Sequence, residues 1–388
     1  MRILYVNHTG ELGGAEHSLL TLLAGLPDDV EPIVMSPAGP LREGVHALGV
    51  RTLPIAGTQA SFRLHPLRTP RALAHVAYSG VTVRCAAHRI RADLIHANSV
   101  RAGLIVAFGR AIGAPPVVVH VRDVLPPGFA SSAIRRTLAA AAARTICISE
   151  YVAERFSEDA AGRTVVVPNG VDMTRFLPAA AERERVRGEL GVGPDQILLG
   201  VVAQITPWKG QDDAVAALAR VREVHPGTRL VLVGEAKFVG RDVRYDNQAF
   251  AEALRTQADR LGVADAVQMT GERTDVPAML AALDIALVPS WEEPFGRTVI
   301  EAMAMKRAVV ATSVGGPSEI IEHGRTGLLM RPRRPEEWSA AIAGLIADAP
   351  LRCALGSAAR ASLVGRYDQA SAVDQTVAHY RDILSARR

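Results

Sequence analysis

The chain of 388 residues is short of several things at once. Its three cysteines, Cys85, Cys147 and Cys353, lie far apart and form no CxxC pair. That excludes a disulfide framework and a thiolate zinc site, and fits buried thiols in a reducing cytoplasm. No uncharged apolar run reaches the roughly 18–20 residues that span a bilayer. The N-terminus, MRILYVNHTGELGG, has a short apolar run that breaks at a Gly-rich loop, without the h-region or cleavage site of a signal peptide. There is no Asp-x-Asp and no His/Cys cluster, so no metal is implied. GELGGAEH misses the G-x-G-x-x-G fingerprint, which leaves a nicotinamide dehydrogenase unsupported. Lysine is nearly absent: Lys209, Lys237 and Lys306 stand against 41 arginines. In a chain that supplies positive charge with Arg, a Lys in a Gly-flanked loop suggests a use for its compact ammonium.

What is there is globular, with 48% apolar and 22% charged residues. The length suits two domains of about 150–200 residues each. Charge is uneven: residues 1–180 hold 18 Arg and 13 acids, a net of +5, and the remainder nets −1. Between Glu43 and Asp93 there is no acid, while Arg51, Arg63, Arg68, Arg71, Arg84, Arg89 and Arg91 all fall there. Such a half suits an anionic partner, a phosphorylated acceptor or a membrane face, and an Arg-rich solvated surface explains it equally well. No aromatic-interleaved basic motif supports nucleic acid.

Short apolar, β-branched runs alternate with helical patterns throughout. RILYVN, EPIVMS, DLIHAN, PVVVHV, RTICIS and TVVVPN read as strands buried on both faces. The second half repeats the style with ILLGVVA, RLVLVG, AVQMTG, DIALVPS, RAVVATS and GLLM, and with helices over 211–224, 248–261 and 295–305. This is the pattern of an α/β chain with two Rossmann-like, doubly wound parallel-sheet domains. The expected domains are 1–175 and 176–366, joined by a turn-rich linker at about 168–180. The last stretch, 367–388, is amphipathic and expected to pack back on the first domain. In such sheets, ligands bind outside the carboxyl ends of the strands.

One stretch concentrates the chemistry. SWEEPFGRTVIEAM, residues 290–303, sets Glu293 and Glu301 eight positions apart around a Pro-Phe-Gly step. It follows the strand DIALVPS, and Pro294 suits a first helical turn. Phe295, Gly296, Arg297 and Thr298 would then present unpaired backbone N–H groups, a ready anion site. Glu301 would lie about 7–8 Å further along the axis, from a rise of ~1.5 Å per residue. A diphosphate at this helix start would bring one sugar near Glu293 and a ribose near Glu301. Two ordinary surface glutamates at a favourable helix start are the plainer alternative.

The blocks resemble a known family. EEPFGRTVIEAMA is similar to the E-x7-E signature of retaining glycosyltransferases of the GT-B fold, family 4. VPNGVDMTRF resembles that family's domain junction and VVAQITPWKGQ its phosphate-binding loop. VGGPSEIIEHGRTGLL resembles the block after the E-x7-E helix, and GELGGAEHSLL the N-terminal Gly-Gly-x-Glu loop. The resemblance implies two domains facing a cleft. It implies that Lys209 contacts the donor diphosphate, Glu293 the donor sugar and Glu301 the ribose. It makes His120, at the end of PVVVH, the histidine that reaches the transferred sugar, so the implied catalytic set is Glu293, His120 and Lys209. Gly13 and Gly14 would meet the donor phosphate or the acceptor through their backbone. Arg273, in GERTDVP, is a candidate to stack on the base, although a solvated loop Arg reads as well. Asn98, Ser99, Arg122 and Asp123 are the candidate acceptor rim, with Glu16 either there or capping its helix. At Gln204 the family usually has an arginine, so one fixed charge is missing and Arg297 or the helix amides are left to do more.

The implied activity is a retaining, metal-independent transfer of a sugar from a nucleotide-diphosphate donor to an acceptor hydroxyl, with no cofactor. The implied partners are that donor and a glycan, lipid-linked or small-molecule acceptor, in the cytoplasm or peripherally at the inner membrane face. A nucleotide-sugar epimerase of the same fold, or a non-catalytic nucleotide-sugar binder, are the alternatives. A glycosidase would use two carboxyls about 5–9.5 Å apart, and leaves Lys209, the helix-start amides and the junction unexplained.

Overall fold

The structure is a computed structural model that describes residues 1–57, 68–156, 162–237 and 245–386, with the side chains of 68–71 outside the description. Arg63 of the basic stretch, and the side chains of Arg68 and Arg71, therefore lie outside the described residues. The chain divides into two compact units, Met1–Gly170 with Gln369–Arg388, and Val171–Asp368.

In the first unit the order is β1 (Arg2–Val6), α1 (Gly14–Ala24), β2 (Glu31–Ser36), α2 (Pro40–Ala47), β3 (Arg51–Pro54), α3 (Arg68–Arg89) and β4 (Leu94–Ala97). It continues with α4 (Val100–Ala111), β5 (Val117–Val121), α5 (Phe129–Ala141), β6 (Arg144–Cys147), α6 (Glu150–Phe156) and β7 (Thr164–Val166). The strands form one parallel sheet in the order β3-β2-β1-β4-β5-β6-β7. Every residue of β4 and β5 is buried, as continuous branched runs require when helices cover both faces. The order reverses between β1 and β4, so the carboxyl ends of these two strands flank the crevice where doubly wound sheets bind ligands. The strand β3, RTLP, was not among the expected runs. It is an edge strand of four residues, only partly buried and closed by Pro54, so neither length nor apolar pattern marks it.

In the second unit α7 (Ala180–Glu189), β8 (Leu198–Val202), α8 (Gln211–Arg222), β9 (Arg229–Val233), α9 (Asn247–Arg260) and β10 (Val267–Gly271) come first. Then follow α10 (Val276–Ala282), β11 (Ile285–Val288), α11 (Arg297–Ala304), β12 (Ala308–Thr312), α12 (Pro317–Ile320), β13 (Leu328–Met330), α13 (Pro335–Ala347) and α14 (Ala349–Leu363). The six strands form a parallel sheet in the order β10-β9-β8-β11-β12-β13, reversing between β8 and β11. Its core joins Leu199, Val201, Leu218, Leu232, Leu287 and Val310 to Trp338 and Leu345.

The final helix, α15 (Gln369–Ser385), belongs to the first unit. Its Val373, Val377, Tyr380 and Ile383 pack with Tyr5, Leu19, Leu22 and Leu23. Among the described residues no single helix is long and apolar enough to cross a membrane. The helices α13 and α14 reach that length only as a pair bent by 103°, and their Trp338, Ile342, Leu345 and Leu355 are buried in the second unit's core.

Candidate functional site

In the second unit, the loop after β8 and the loop after β11 come together at the point where strand order reverses. Lys209 ends a short helical turn after β8 and donates to Glu293 Oε2 at 2.6 Å. The pair is largely buried, with 18% of the lysine side chain and 10% of the glutamate side chain exposed. Ser290 donates to the same oxygen at 2.9 Å. Lys209 Nζ also lies 4.1 Å from the centre of the Trp208 ring, and the backbone N–H of Trp291 donates to the Trp208 carbonyl at 2.8 Å. The two loops are thus tied by an ion pair and a backbone bond, and a single carboxylate oxygen takes two donors.

The glycines of VGGPSE explain why Glu293 holds its place. Gly315 has φ +96, and a Cβ there would stand 2.1 Å from the Glu293 carbonyl oxygen. A Cβ on Gly316 would stand 2.3 Å from the Phe295 carbonyl oxygen. The close approach lets Gly316 N–H donate to the Glu293 carbonyl at 2.9 Å and Glu293 N–H donate to that of Val314 at 3.2 Å. Only residues without a side chain allow this backbone contact.

The helix after this loop starts later than Pro294 implied. Gly296 is left-handed, with φ 98 and ψ 59, and is the N-cap, so Phe295 and Gly296 precede α11. The first turn of α11 has no side-chain cap and no acidic residue, which leaves its start open to an anion. Thr298 Oγ1 donates to the Val202 carbonyl at 3.0 Å and fixes α11 against the end of β8. Glu301 is buried on α11 and accepts from Arg297 Nη2 at 2.7 Å. Arg297 therefore lies along its own helix toward Glu301.

Two expectations look different in place. Gln204 donates to the Lys237 carbonyl at 3.2 Å, and its own carbonyl accepts from Gln211 at 2.8 Å, so it braces the loop where a cation would stand. Arg273 is bound through the plane of its guanidinium by Asp275 at 2.8 Å and by Glu189 of α7. That pairing ties it to a carboxylate cluster.

In the first unit, Glu16, Asn98, His120 and Arg122 join one buried polar network at the ends of β1, β4 and β5. Arg122 donates to Asn98 Oδ1 at 3.0 Å and to Asn169 Oδ1 at 2.7 Å. Asn98 donates to Asn7 Oδ1 at 3.0 Å. Glu16 accepts from Asn7 Nδ2 at 3.1 Å and from Gly13 N–H at 3.1 Å. Of its two sequence readings, the helix-capping one is what this geometry displays. Burial pushes its carboxyl above the ordinary carboxylate range, with Asn7 and Gly13 pulling the other way. Asn98 and Arg122 likewise turn inward as a frame. Ser99 caps α4, accepting from Ala102 N–H at 3.1 Å, and lies 2.9 Å from His8 Nδ1. Asp123 is exposed and acts electrostatically on Arg101. Gly14 opens α1 after the N-cap Gly13. His120 is buried with Nε2 unpartnered, on the wall of a small cavity with Ser18, Arg122, Asn169 and Gln369.

Sequence reasoning missed Ser290, Asn7, His8, His96, Asn169 and Tyr380. Ser290 lies in SWEEPFGRTVIEAM and Asn169 in VPNGVDMTRF, and a polar side chain at a strand's carboxyl end was the signal for Asn7 and His8. Among the described residues no three His, Cys, Asp or Glu side chains gather as metal ligands.

Comparison with known proteins follows the same division. Residues 12–175 match the family model for glycosyltransferase family 4, and residues 182–362 that for glycosyl transferases group 1. A D-inositol 3-phosphate glycosyltransferase of Segniliparus rotundus is 38% identical over 223 residues, 56% of this chain and 47% of that protein. The chain thus spans about half the length of the inositol-phosphate relatives it matches. A glycogen synthase of Mycobacterium tuberculosis is 27% identical over all of this chain and 95% of its own. The crystal structure of Anabaena HepE in complex with UDP and glucose superposes with a TM-score of 0.85 at 28% identity, covering 98% of this chain and 99% of that one.

Proposed function

The chain belongs to the GT-B glycosyltransferases of family 4, and from that premise we propose that it moves a sugar from a nucleoside-diphosphate sugar to an acceptor hydroxyl with retention of anomeric configuration. The observation that carries this reading is the union of Lys209 and Glu293 beside the uncapped start of α11, with Glu301 one helical stretch further on. The diphosphate would lie at that helix start, where Lys209 offsets charge growing on the departing phosphate. Glu293 would hold the transferred sugar by its hydroxyls and Glu301 the ribose. The relative HepE, seen with UDP and with UDP-glucose, favours a uridine nucleotide as the first donor to try.

The acceptor hydroxyl would attack the anomeric carbon from the face that the diphosphate leaves. The new C–O bond forms as the sugar–phosphate bond breaks, and the leaving phosphate takes the hydroxyl proton. No protein nucleophile is needed in this scheme, and His120 would hydrogen-bond a sugar oxygen. The reading is metal-independent, because an ammonium and helix amides serve the phosphates. Activity retained in excess chelator would support that, and activity restored only by a divalent cation would refute it.

The test is incubation with UDP-, GDP-, dTDP- and ADP-sugars together with glycan, lipid-linked and small-molecule acceptors. Retained configuration in the product is expected. Inverted product, or an epimer formed without acceptor, would overturn the reading in favour of an inverting enzyme or an epimerase. A membrane-associated acceptor is favoured by α3, which exposes Leu73, Tyr78 and Val81 in a stretch rich in Arg and free of acids. Flotation with anionic vesicles that weakens as salt rises is the expected result. No flotation at low salt would leave a free acceptor as the substrate.

A further inference from the structure

Behind His120 the first unit carries a buried chain of polar rings that the proposed chemistry does not use. His120 is the penultimate residue of β5 and His96 that of the neighbouring β4, with ring centroids 5.3 Å apart. His120 Nδ1 lies 3.3 Å from His96 Nε2 and 3.2 Å from Arg122 Nη2. His96 Nδ1 lies 2.7 Å from the hydroxyl of Tyr380 on α15, and the Tyr5 hydroxyl is 3.4 Å beyond. His96, Tyr5 and Tyr380 are wholly buried, and His120 and Arg122 nearly so.

The hydrogens follow by elimination. A guanidinium only donates, so the nitrogen it faces, His120 Nδ1, carries a lone pair. Burial, and then the nearby Arg122 charge, push His96 down to about 3 and His120 well below the ordinary imidazole value. Each ring is therefore neutral at pH 7 and holds one proton. His120 must hold its proton on Nε2. His96 Nε2 faces the same bare nitrogen, and two lone pairs would oppose each other unless His96 Nε2 is the N–H. Its Nδ1 is then an acceptor, and Tyr380 gives it its one hydrogen at 2.7 Å, in preference to the Tyr5 hydroxyl at 3.4 Å, which is long for an O–H bond. The hydrogens of Tyr380, His96 and His120 all point from α15 toward the cavity. The last of them, on His120 Nε2, is the one without a partner.

We infer that Tyr380, acting through His96, is a positioning residue that holds His120 as an Nε2–H donor for a substrate oxygen. The inference rests on the substrate contact proposed for His120 and adds the groups that set its tautomer and aim. A neutral donor serves a sugar oxygen without presenting a second full charge next to Arg122. It also gives α15 a role in the site beyond closing the core. Without the tyrosine hydroxyl, His96 has no partner at Nδ1 and can carry its proton there. It then turns a lone pair toward His120, and the single-tautomer chain is lost.

The test is long-range 1H–15N correlation on full-length protein labelled with 15N-histidine, with His96 and His120 assigned through their variants. The wild type is expected to show a protonated Nε2 and a bare Nδ1 on both rings between pH 6 and 8. In Tyr380→Phe the His120 signals should become those of a tautomer mixture. The kcat/KM for the nucleotide sugar that the donor panel identifies should fall about tenfold. His96→Gln, whose amide N–H can replace the imidazole N–H toward His120, should keep the His120 signature and most of the activity. His96→Met should lose both. A bare Nε2 on wild-type His120, or an unchanged signature in both Tyr380→Phe and His96→Met, overturns the inference. A protein that transfers no sugar yet shows the Nε2–H signature, lost in those two variants, supports the tautomer chain and counts against the proposed function instead.

Discussion

Removing Lys209 should unsettle the second unit before any substrate is considered. In Lys209→Met, the Glu293 carboxylate keeps its backbone scaffold and the Ser290 hydroxyl but loses the ammonium at 2.6 Å. Stripping one partner from a fully buried pair costs about 3–5 kcal/mol. With 18% and 10% of the two side chains exposed and one donor left, about 2–3 kcal/mol is the expected cost here. Glu293→Gln should cost less, about 1–2 kcal/mol, because Lys209 retains the Trp208 face at 4.1 Å. The double variant should be more stable than the sum of the singles implies, by about 1–2 kcal/mol of coupling. For a domain of this size each kcal/mol moves the midpoint by about 2–4 °C. The readout is specific, since all three tryptophans, Trp208, Trp291 and Trp338, belong to the second unit. Urea unfolding of the four proteins followed by tryptophan fluorescence closes the cycle. Strict additivity, or a Lys209→Met protein as stable as the parent, would refute the pairing as described.

Further expectations are as direct. Gly315→Ala puts a methyl where the Glu293 carbonyl stands 2.1 Å away on a left-handed backbone. It should cost about 2–4 kcal/mol, from the left-handed backbone and overpacking together, and depress transfer with it; a parental melting curve would contradict the scaffold role. Stability should also fall with acid through His96. Its folded value, about 3, lies below the ordinary 6.5, so the contribution is complete above about pH 6.5 and is lost as pH falls toward 3. The upper limit is about 5 kcal/mol, and His96→Gln should flatten that slope. Asp213 works in the opposite sense, because burial and Asp212 raise it to about 6. Its contribution favours folding at acid pH and fades as pH rises through 6, so Asp213→Asn should steepen the acid loss between about pH 4 and 6. An unchanged profile in either variant would refute the corresponding assignment.

The second unit was legible because most of its strands are apolar, β-branched runs and its motifs are local. Lys209, Glu293 and Glu301 stand in short segments whose neighbouring glycines mark close backbone approach. What escaped was set by φ angles or by distance along the chain. Gly296 looked like a residue inside a helix, and only its left-handed backbone moves the start to Arg297. Arg273 stood equally for a base-stacking residue and a solvated loop Arg; its partner Asp275 is two positions on, but Glu189 is 84 positions away. Glu16 stood equally for an acceptor ligand and a cap, and the separating fact is the Gly13 N–H that it accepts from. The ring chain was invisible for the same reason: Tyr380 and His96 are 284 positions apart, and no period or motif joins them.

Titration of the protein with UDP, GDP, dTDP and ADP, each beside its nucleoside, by tryptophan fluorescence tests the central claim most directly. Trp208 and Trp291 stand beside Lys209 and Glu293, so a diphosphate at the start of α11 should change their emission. The account predicts saturable binding of at least one nucleoside diphosphate, little binding of its nucleoside, and affinity at least tenfold weaker in Lys209→Met and in Glu301→Gln. Absence of binding by all four, or undiminished binding in both variants, would contradict it.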